Sequence, residues 1–143
     1  MVDTAHGADA EDRFAERWEA MGKQAWLHRL KDASDLYGRN RRLVQVDAQP
    51  ADFIAAFNAW FGLVEVKSTK DTRGFPTSMI RQSQRVAAVR CMYARAPYVF
   101  AVECHTTGTW FLAPAKFVIT QKGTILWDEL KPYQWLENTS APL

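Results

Sequence analysis

The feature that most constrains the fold is a pair of apolar, strand-like segments joined by a short turn. The segments are DFIAAF, residues 52–57, and FGLVEVKST, residues 61–69, on either side of Asn58 and Ala59. This pattern predicts an antiparallel hairpin. If the hairpin turns around Asn58 and Ala59, the numbers of paired residues sum to about 117. Asp52 then lies opposite Glu65.

The predicted hairpin brings three charged side chains to one face. Directly opposed residues hold their Cβ atoms roughly 4.5 to 5.5 Å apart, so the carboxylates of Asp52 and Glu65 lie side by side. Lys67 follows Glu65 by two positions and points to the same face. Two like charges at this separation repel, and one lysine relieves the repulsion only in part. Oxygen ligands from two strands suit Mg²⁺ or Mn²⁺, so the pattern predicts a divalent-metal site.

A purely structural explanation also exists for the E-x-K triplet. Charged residues at the end of a strand usually form a solvated edge, and the triplet alone is common. The combination favours function, because Pro50 precedes Asp52 at a strand start, the spacing to Glu65 suits a hairpin, and Lys67 follows in phase.

The rest of the chain predicts two helices and further strands. Phe14, Trp18 and Met21 form one stripe of an amphipathic helix from Ala10 to about Lys23. A second helix follows Pro76, over residues 77–94. AWLHRL predicts a short strand before the central hairpin, and YVFAVE and TWFLAPA predict another hairpin after the second helix.

Composition indicates one globular domain. The chain has 143 residues, 48% hydrophobic, and a net charge of +2, so an anionic partner must be met by a local basic patch. We expect residues 1–10 to be disordered, residues 11–136 to form the domain and residues 137–143 to be a flexible tail. The two cysteines form no CxxC pattern, and there is no signal-peptide pattern or membrane-spanning apolar run, so we expect a cytoplasmic protein with no membrane contact.

The order and spacing of these motifs resemble the PD-(D/E)xK nuclease superfamily. The matching residues are PAD with Asp52 and, thirteen residues later, EVK with Glu65 and Lys67. PADF, VEVKST, FP and MIRQSQ also resemble motifs of Holliday-junction resolvases of the RecU and Hjc kind, and FAERWEAMG is similar to their first helix. The likeness covers about residues 14–111.

The resemblance implies a fold and an activity. The fold is an α/β (α+β) restriction-endonuclease-like core, in which helices flank a mixed central sheet in the order αβββαβ. The activity is that of a Mg²⁺-dependent endodeoxyribonuclease, with Mn²⁺ as a substitute. The substrate is branched DNA, a four-way junction that a homodimer cuts with paired symmetric nicks. Alternatives are a restriction-type or repair endonuclease, and a DNA-binding module that does not cleave.

The resemblance also implies residue roles. Asp52, Glu65 and the backbone carbonyl of Val66 would bind the metal, and Lys67 would orient or deprotonate the attacking water. Glu16 would be the acid of the first helix, with Glu19 as the alternative. Gln84, or less favourably Gln82, would be the glutamine of the second helix that faces the site.

Basic residues near these motifs are candidates for contacts with DNA phosphates. Arg81 and Arg85 lie four apart and share a helix face. The other candidates lie in two loops: Lys70, Arg73, Arg39, Arg41 and Arg42. Each of them could equally be an ordinary solvated side chain.

Overall fold

The computed structural model describes residues 4–30 and 49–143. Within these residues, five strands form one mixed sheet and two short strands form a second sheet. The strands are β1 (Ala25–Arg29), β2 (Phe53–Phe57), β3 (Trp60–Thr69), β4 (Gly74–Pro76), β5 (Tyr98–Cys104), β6 (Thr109–Pro114) and β7 (Thr124–Leu126). The helices are α1 (Thr4–Glu19), α2 (Gln82–Ala94), α3 (Ala115–Ile119) and α4 (Trp127–Leu130), with 3₁₀ turns at Thr77–Met79 and Lys131–Tyr133.

The large sheet has the order β1-β2-β3-β5-β6. Its neighbours pair antiparallel except β3 and β5, which are parallel. Parallel strands need a long crossover, and α2 lies in the segment that connects these two. The predicted mixed sheet flanked by helices is therefore confirmed.

The central hairpin has the predicted register. Its pairs run from Phe53 with Val64 to Phe57 with Trp60, so that each pair sums to 117. Asn58 and Ala59 have φ angles of 46° and 75°, as both central residues of a type I′ turn require. Asp52 lies just before β2, and its backbone N–H donates to the Val64 carbonyl at 3.1 Å. The carboxylate of Asp52 thus stays beside β3 although the residue lies outside the ladder.

The sheet separates two apolar clusters. The cluster under α1 contains Phe14, Trp18, Val64 and Trp135, all of them buried. The second cluster lies on the other face, and its buried members include Phe75, Phe100, Phe111, Ile125 and Leu130. Side chains therefore alternate along β3 between the face of α1 and the face of α2.

Two chain ends are more ordered than the sequence predicts. α1 begins at Thr4, so residues 4–9 are helical where disorder is expected. In the expected C-terminal tail, Ala141 is buried and the Ser140 carbonyl accepts a hydrogen bond from the Trp135 indole at 3.0 Å. The tail packs on the first apolar cluster. None of the helices in the described part of the chain is long and apolar enough to span a bilayer.

The turn at Ala59 generates a stability prediction. Ala59 adopts a left-handed conformation that costs a non-glycine residue about 1 kcal/mol. Ala59→Gly should therefore raise the free energy of unfolding by about 0.5 to 1 kcal/mol, measured by urea denaturation. Ala56→Gly is the matched control, because Ala56 lies within β2 and the same change there should lower stability by a similar amount. Equal losses in both variants would contradict the prediction.

Candidate active site

The predicted acids and lysine meet on the α2 face of β3. The Asp52 Oδ2 atom accepts a hydrogen bond from the Val66 N–H at 2.8 Å. Glu65 is only 3% exposed, and its Oε2 atom lies 3.6 Å from Lys67 Nζ. The hairpin backbone positions both charged neighbours of Glu65. Asp52 is bound to the backbone of β3, and Lys67 follows Glu65 by two residues on the same face of that strand.

α2 adds an amide to this cluster. Gln84 Nε2 donates to Glu65 Oε2 at 2.9 Å, and Gln84 Oε1 accepts from the Arg81 N–H at 2.9 Å. The second bond belongs to the cap of α2, so the orientation of the Gln84 amide is fixed by the start of the helix. Gln82 is exposed, and Gln84 is the glutamine that contacts the site.

Burial dominates the electrostatics of the pair. Removal of Glu65 from water, the charge of Asp52 and a hydrogen bond with it raise the pKa of Glu65 to about 9, against the opposing charge of Lys67. Burial also raises the pKa of Tyr98, which the charges of Glu65 and Asp52 raise further. The Tyr98 hydroxyl donates to the Pro50 carbonyl at 2.6 Å. At neutral pH the acid pair therefore retains a proton unless another cation replaces it.

The donor set suits a hard divalent cation. Asp52 and Glu65 offer carboxylate oxygens, and the Val66 carbonyl points to the Asp52 side of β3, because both backbone groups of a strand residue point the same way. In the described ranges, no group of three or more acidic, histidine or cysteine side chains is placed to hold a metal. Two carboxylates are typical of Mg²⁺, which keeps several waters.

Glu11 is an acid of α1 whose charge reaches the site. Its charge contributes to the raised pKa of Glu65. Glu16 is exposed and lies in a surface pocket with Arg17 and Asn138. Because Glu16 lies two residues from Trp18, it projects about 200° away from that buried side chain. The structure therefore does not bring Glu16 to the acid pair, and Glu19 is exposed too. Spacing could have indicated Glu11, which precedes Trp18 by seven residues and lies on its helix face.

Four of the predicted phosphate-binding residues are described, and they lie at the start of α2 and in the loop after β3, the elements that also carry Gln84 and Lys67. Arg81 is exposed at the start of α2, and Arg85 donates weakly to the Thr77 carbonyl at 3.5 Å. Lys70 and Arg73 are exposed in the loop after β3, where Arg73 lies 3.5 Å from Asp71. Arg39, Arg41 and Arg42 lie outside the described residues.

A second acidic cluster, not anticipated from the sequence, lies on the α1 face. Glu103 of β5 is 3% exposed and accepts two hydrogen bonds from Arg13, at 2.7 and 2.8 Å, and one from Ser68 at 2.7 Å. Burial opposes ionisation of Glu103, but the bonds from Arg13 and Ser68 outweigh it and lower its pKa. Glu103 therefore links Arg13 of α1 to Ser68, the residue that follows Lys67 on β3.

Comparison with known proteins identifies the fold. No family model matches the chain, and no curated protein matches it. Among solved structures, Hjc of Archaeoglobus fulgidus, a Holliday junction resolvase from an archaeal hyperthermophile, is similar with a TM-score of 0.58. The two sequences are 19% identical, and the alignment covers 93% of this chain and 97% of that chain. At this identity the likeness establishes a shared fold.

The buried pair generates a prediction for the metal-free protein. The pKa of Glu65 is about 9 in the folded state, so Glu65 holds its proton up to about that pH, whereas an unfolded glutamate loses its proton near the ordinary pKa of 4.5. Stability is therefore fully present below pH 4.5 and falls as the pH rises towards 9. With EDTA present, the free energy of unfolding should fall by roughly 3 kcal/mol. This is about half of what the full pKa shift would give at about 1.4 kcal/mol per pH unit, because local relaxation of the protein reduces the effect.

Denaturant unfolding between pH 5 and pH 9, as bounded by these pKa values, would measure the loss. Glu65→Gln cannot ionise and should flatten the profile, and Mg²⁺ should restore stability to the unchanged protein at the alkaline end. Glu103→Gln is the control. Folding lowers the pKa of Glu103, so its contribution to stability is lost only as the pH falls below the usual glutamate pKa, and this variant should keep the slope of the unchanged protein. A Glu65→Gln profile as steep as that of the unchanged protein would contradict the prediction.

Proposed function

We propose that this chain is a metal-dependent, structure-selective DNA endonuclease that resolves four-way junctions as a homodimer. The observation that carries the proposal is the contact of Glu65 with Lys67 and Gln84, beside Asp52, on adjoining elements of the fold. The likeness to a Holliday junction resolvase over nearly the whole chain supports nuclease chemistry on branched DNA.

The acid pair would hold Mg²⁺, or Mn²⁺ in its place. Asp52, Glu65 and the Val66 carbonyl supply the oxygen ligands, and Glu11 lies near enough to add negative charge. A bound divalent cation would supply Lewis-acid chemistry to an anionic phosphodiester. The protein contributes a fixed ligand geometry, since the Val66 N–H orients Asp52 and the Gln84 amide orients Glu65.

Lys67 would act on the phosphate and the attacking water. Its side chain is 12% exposed, so its charge is screened little by solvent. Its Nζ atom can donate to a phosphate oxygen and stabilise the charge that develops during in-line attack. It can also orient the water or accept its proton.

The DNA would run over the basic residues that surround the acid pair. Arg81 and Arg85 flank Gln84 on α2, and Lys70 and Arg73 project from the loop after β3. This loop is ordered by the Asp71 carboxylate, which accepts the Arg73 N–H at 2.8 Å. Contacts of this kind give affinity that depends on salt and little on sequence. Arg39, Arg41 and Arg42 are proposed to extend the same surface.

A homodimer follows from the shape of the proposed substrate. A four-way junction has two-fold symmetry and is resolved by cuts in two strands. The described part of the chain carries one such acid pair, so two copies related by a two-fold axis would place one site at each strand.

Cleavage tests the proposal directly. With Mg²⁺, the protein should nick a synthetic four-way junction symmetrically and leave a linear duplex of the same sequence uncut. Asp52→Asn should lower the rate at least roughly a hundredfold while junction binding persists, because a ligand worth several kcal/mol of transition-state stabilisation is lost. Sequencing gels would locate the nicks, and sedimentation would give the oligomeric state.

Asp128→Asn serves as the matched control, since Asp128 is an exposed acid on α4. It should cleave like the unchanged protein. Equal cutting of linear duplex would indicate a restriction-type or repair endonuclease instead. Junction binding without cleavage by the unchanged protein would indicate a DNA-binding module.

The helix-borne acid has its own test. Glu11→Gln should raise the Mg²⁺ concentration for half-maximal cleavage on the order of tenfold, because the charge of Glu11 acts on Glu65. Glu16→Gln should leave that concentration unchanged, since Glu16 points away from the site. An effect of Glu16→Gln larger than that of Glu11→Gln would reverse the assignment.

A further inference from the structure

The sheet face that carries the acid pair continues into an exposed aromatic trough. Across β1, β2 and β3, Trp26 pairs with Ala56, which pairs with Phe61. The next row contains His28, Ile54 and Leu63. Leu63 and Glu65 are two residues apart on β3, so these rows lie on the face of the acid pair. We call these six residues the aromatic trough.

The trough is open to solvent. Trp26 is 52% exposed and Phe61 is 59% exposed, although both are large apolar side chains on strands. Within the described residues, the helices of this face, α2 and α3, contact the large sheet chiefly at β5 and β6. Adjacent exposed aromatic side chains of this kind mark a binding surface more often than an ordinary monomer surface.

The dimensions of the trough suit a planar ring. Neighbouring strands lie about 4.8 Å apart, so Trp26 and Phe61 leave the sheet roughly 10 Å from one another with the small Ala56 between them. One flat ring held at about 3.5 to 4 Å from each wall needs roughly 7 to 8 Å, which this spacing accommodates. The Trp26 and His28 rings already lie parallel, with an interplanar angle of 6° and centroids 6.0 Å apart.

The walls of the trough are held by buried groups. The Trp18 indole donates to the Trp26 carbonyl at 3.0 Å, which fixes the backbone of β1. The Leu63 N–H donates to the Pro97 carbonyl at 3.0 Å, and a Cβ at Gly62 would come within 2.6 Å of that oxygen. The backbone on both sides of the trough is therefore set before any ligand binds.

We propose that the aromatic trough stacks unpaired nucleobases of the DNA strand whose phosphate meets the acid pair. This inference rests on the proposed function. Phe61 lies four residues from Glu65, or roughly 13 Å along the strand, which corresponds to about four stacked nucleotides. Recognition of unpaired bases would favour a branch point over a continuous duplex, because stacking is interrupted at a branch point and a base there is freed at lower cost.

A nucleic acid fits this surface better than a second copy of the chain does. The trough is continuous with the cation Lys67 and the acid pair, so a strand can occupy both. A broad protein face would meet the projecting Trp26 and Phe61 side chains before it reached Ala56, whereas a single planar ring passes between them.

The experiment measures binding without cleavage. In EDTA, fluorescence anisotropy compares a labelled thymidine oligonucleotide with an abasic strand of the same length. The unchanged protein should bind the base-bearing strand at least tenfold more tightly, and Trp26→Ala and Phe61→Ala should each remove about tenfold of that preference. Trp26→Phe should retain most of it, and binding of the abasic strand should be the same in all variants.

Tyr93→Ala is the matched control, because Tyr93 is an 87% exposed aromatic residue on α2, outside the trough. It should keep the full preference. Equal affinity for both strands in the unchanged protein would overturn the inference, even if junction cleavage were observed. A change from dimer to monomer in Trp26→Ala and Phe61→Ala by sedimentation, with the base preference intact, would also overturn it, since the trough would then join two copies of the chain. Base-dependent binding without any cleavage would uphold the trough and reject the endonuclease.

Discussion

The burial of Glu65 beside Asp52 is the interaction on which the proposed chemistry depends. A carboxylate taken out of water next to another acid is unfavourable, and the fold compensates only in part through Lys67 and Gln84. Both compensating groups come from elements with independent reasons to be there, the central strand β3 and the capped start of α2. The remaining electrostatic cost is what a divalent cation would relieve.

Glu103 shows what the same sheet does with a carboxylate that is fully satisfied. It is as buried as Glu65, yet Arg13 and Ser68 bind both of its oxygens and lower its pKa, whereas the pKa of Glu65 is raised. The same fold thus neutralises one buried acid and compensates the other only in part. Opposite pKa shifts in these two buried carboxyl groups, on opposite faces of the sheet, fit the proposal that Glu103 serves structure and Glu65 serves chemistry.

The sequence was informative where one local rule acted alone. The hairpin register followed from turn position and strand period, and with it the meeting of Glu65 and Lys67. The acid of α1 was a different case, because the motif likeness pointed to Glu16 while the burial stripe places Glu11 towards the sheet. The Glu103 cluster joins residues 90 positions apart, and no spacing rule connects Arg13 to Glu103 before the sheet is assembled.

The uneven covering of the sheet links the acid pair to the aromatic trough. α2 must cross from β3 to the parallel β5, so it packs over the second half of the sheet and brings Gln84 to the acids. Within residues 4–30 and 49–143, no helix packs to a comparable extent on that face of β1 and β2. Exposed aromatic side chains on this arm are unfavourable in water if nothing binds to them. The backbone at Trp26 is fixed by the hydrogen bond from the Trp18 indole. The crossover that completes the acid pair is thus also the reason that an open surface lies next to it.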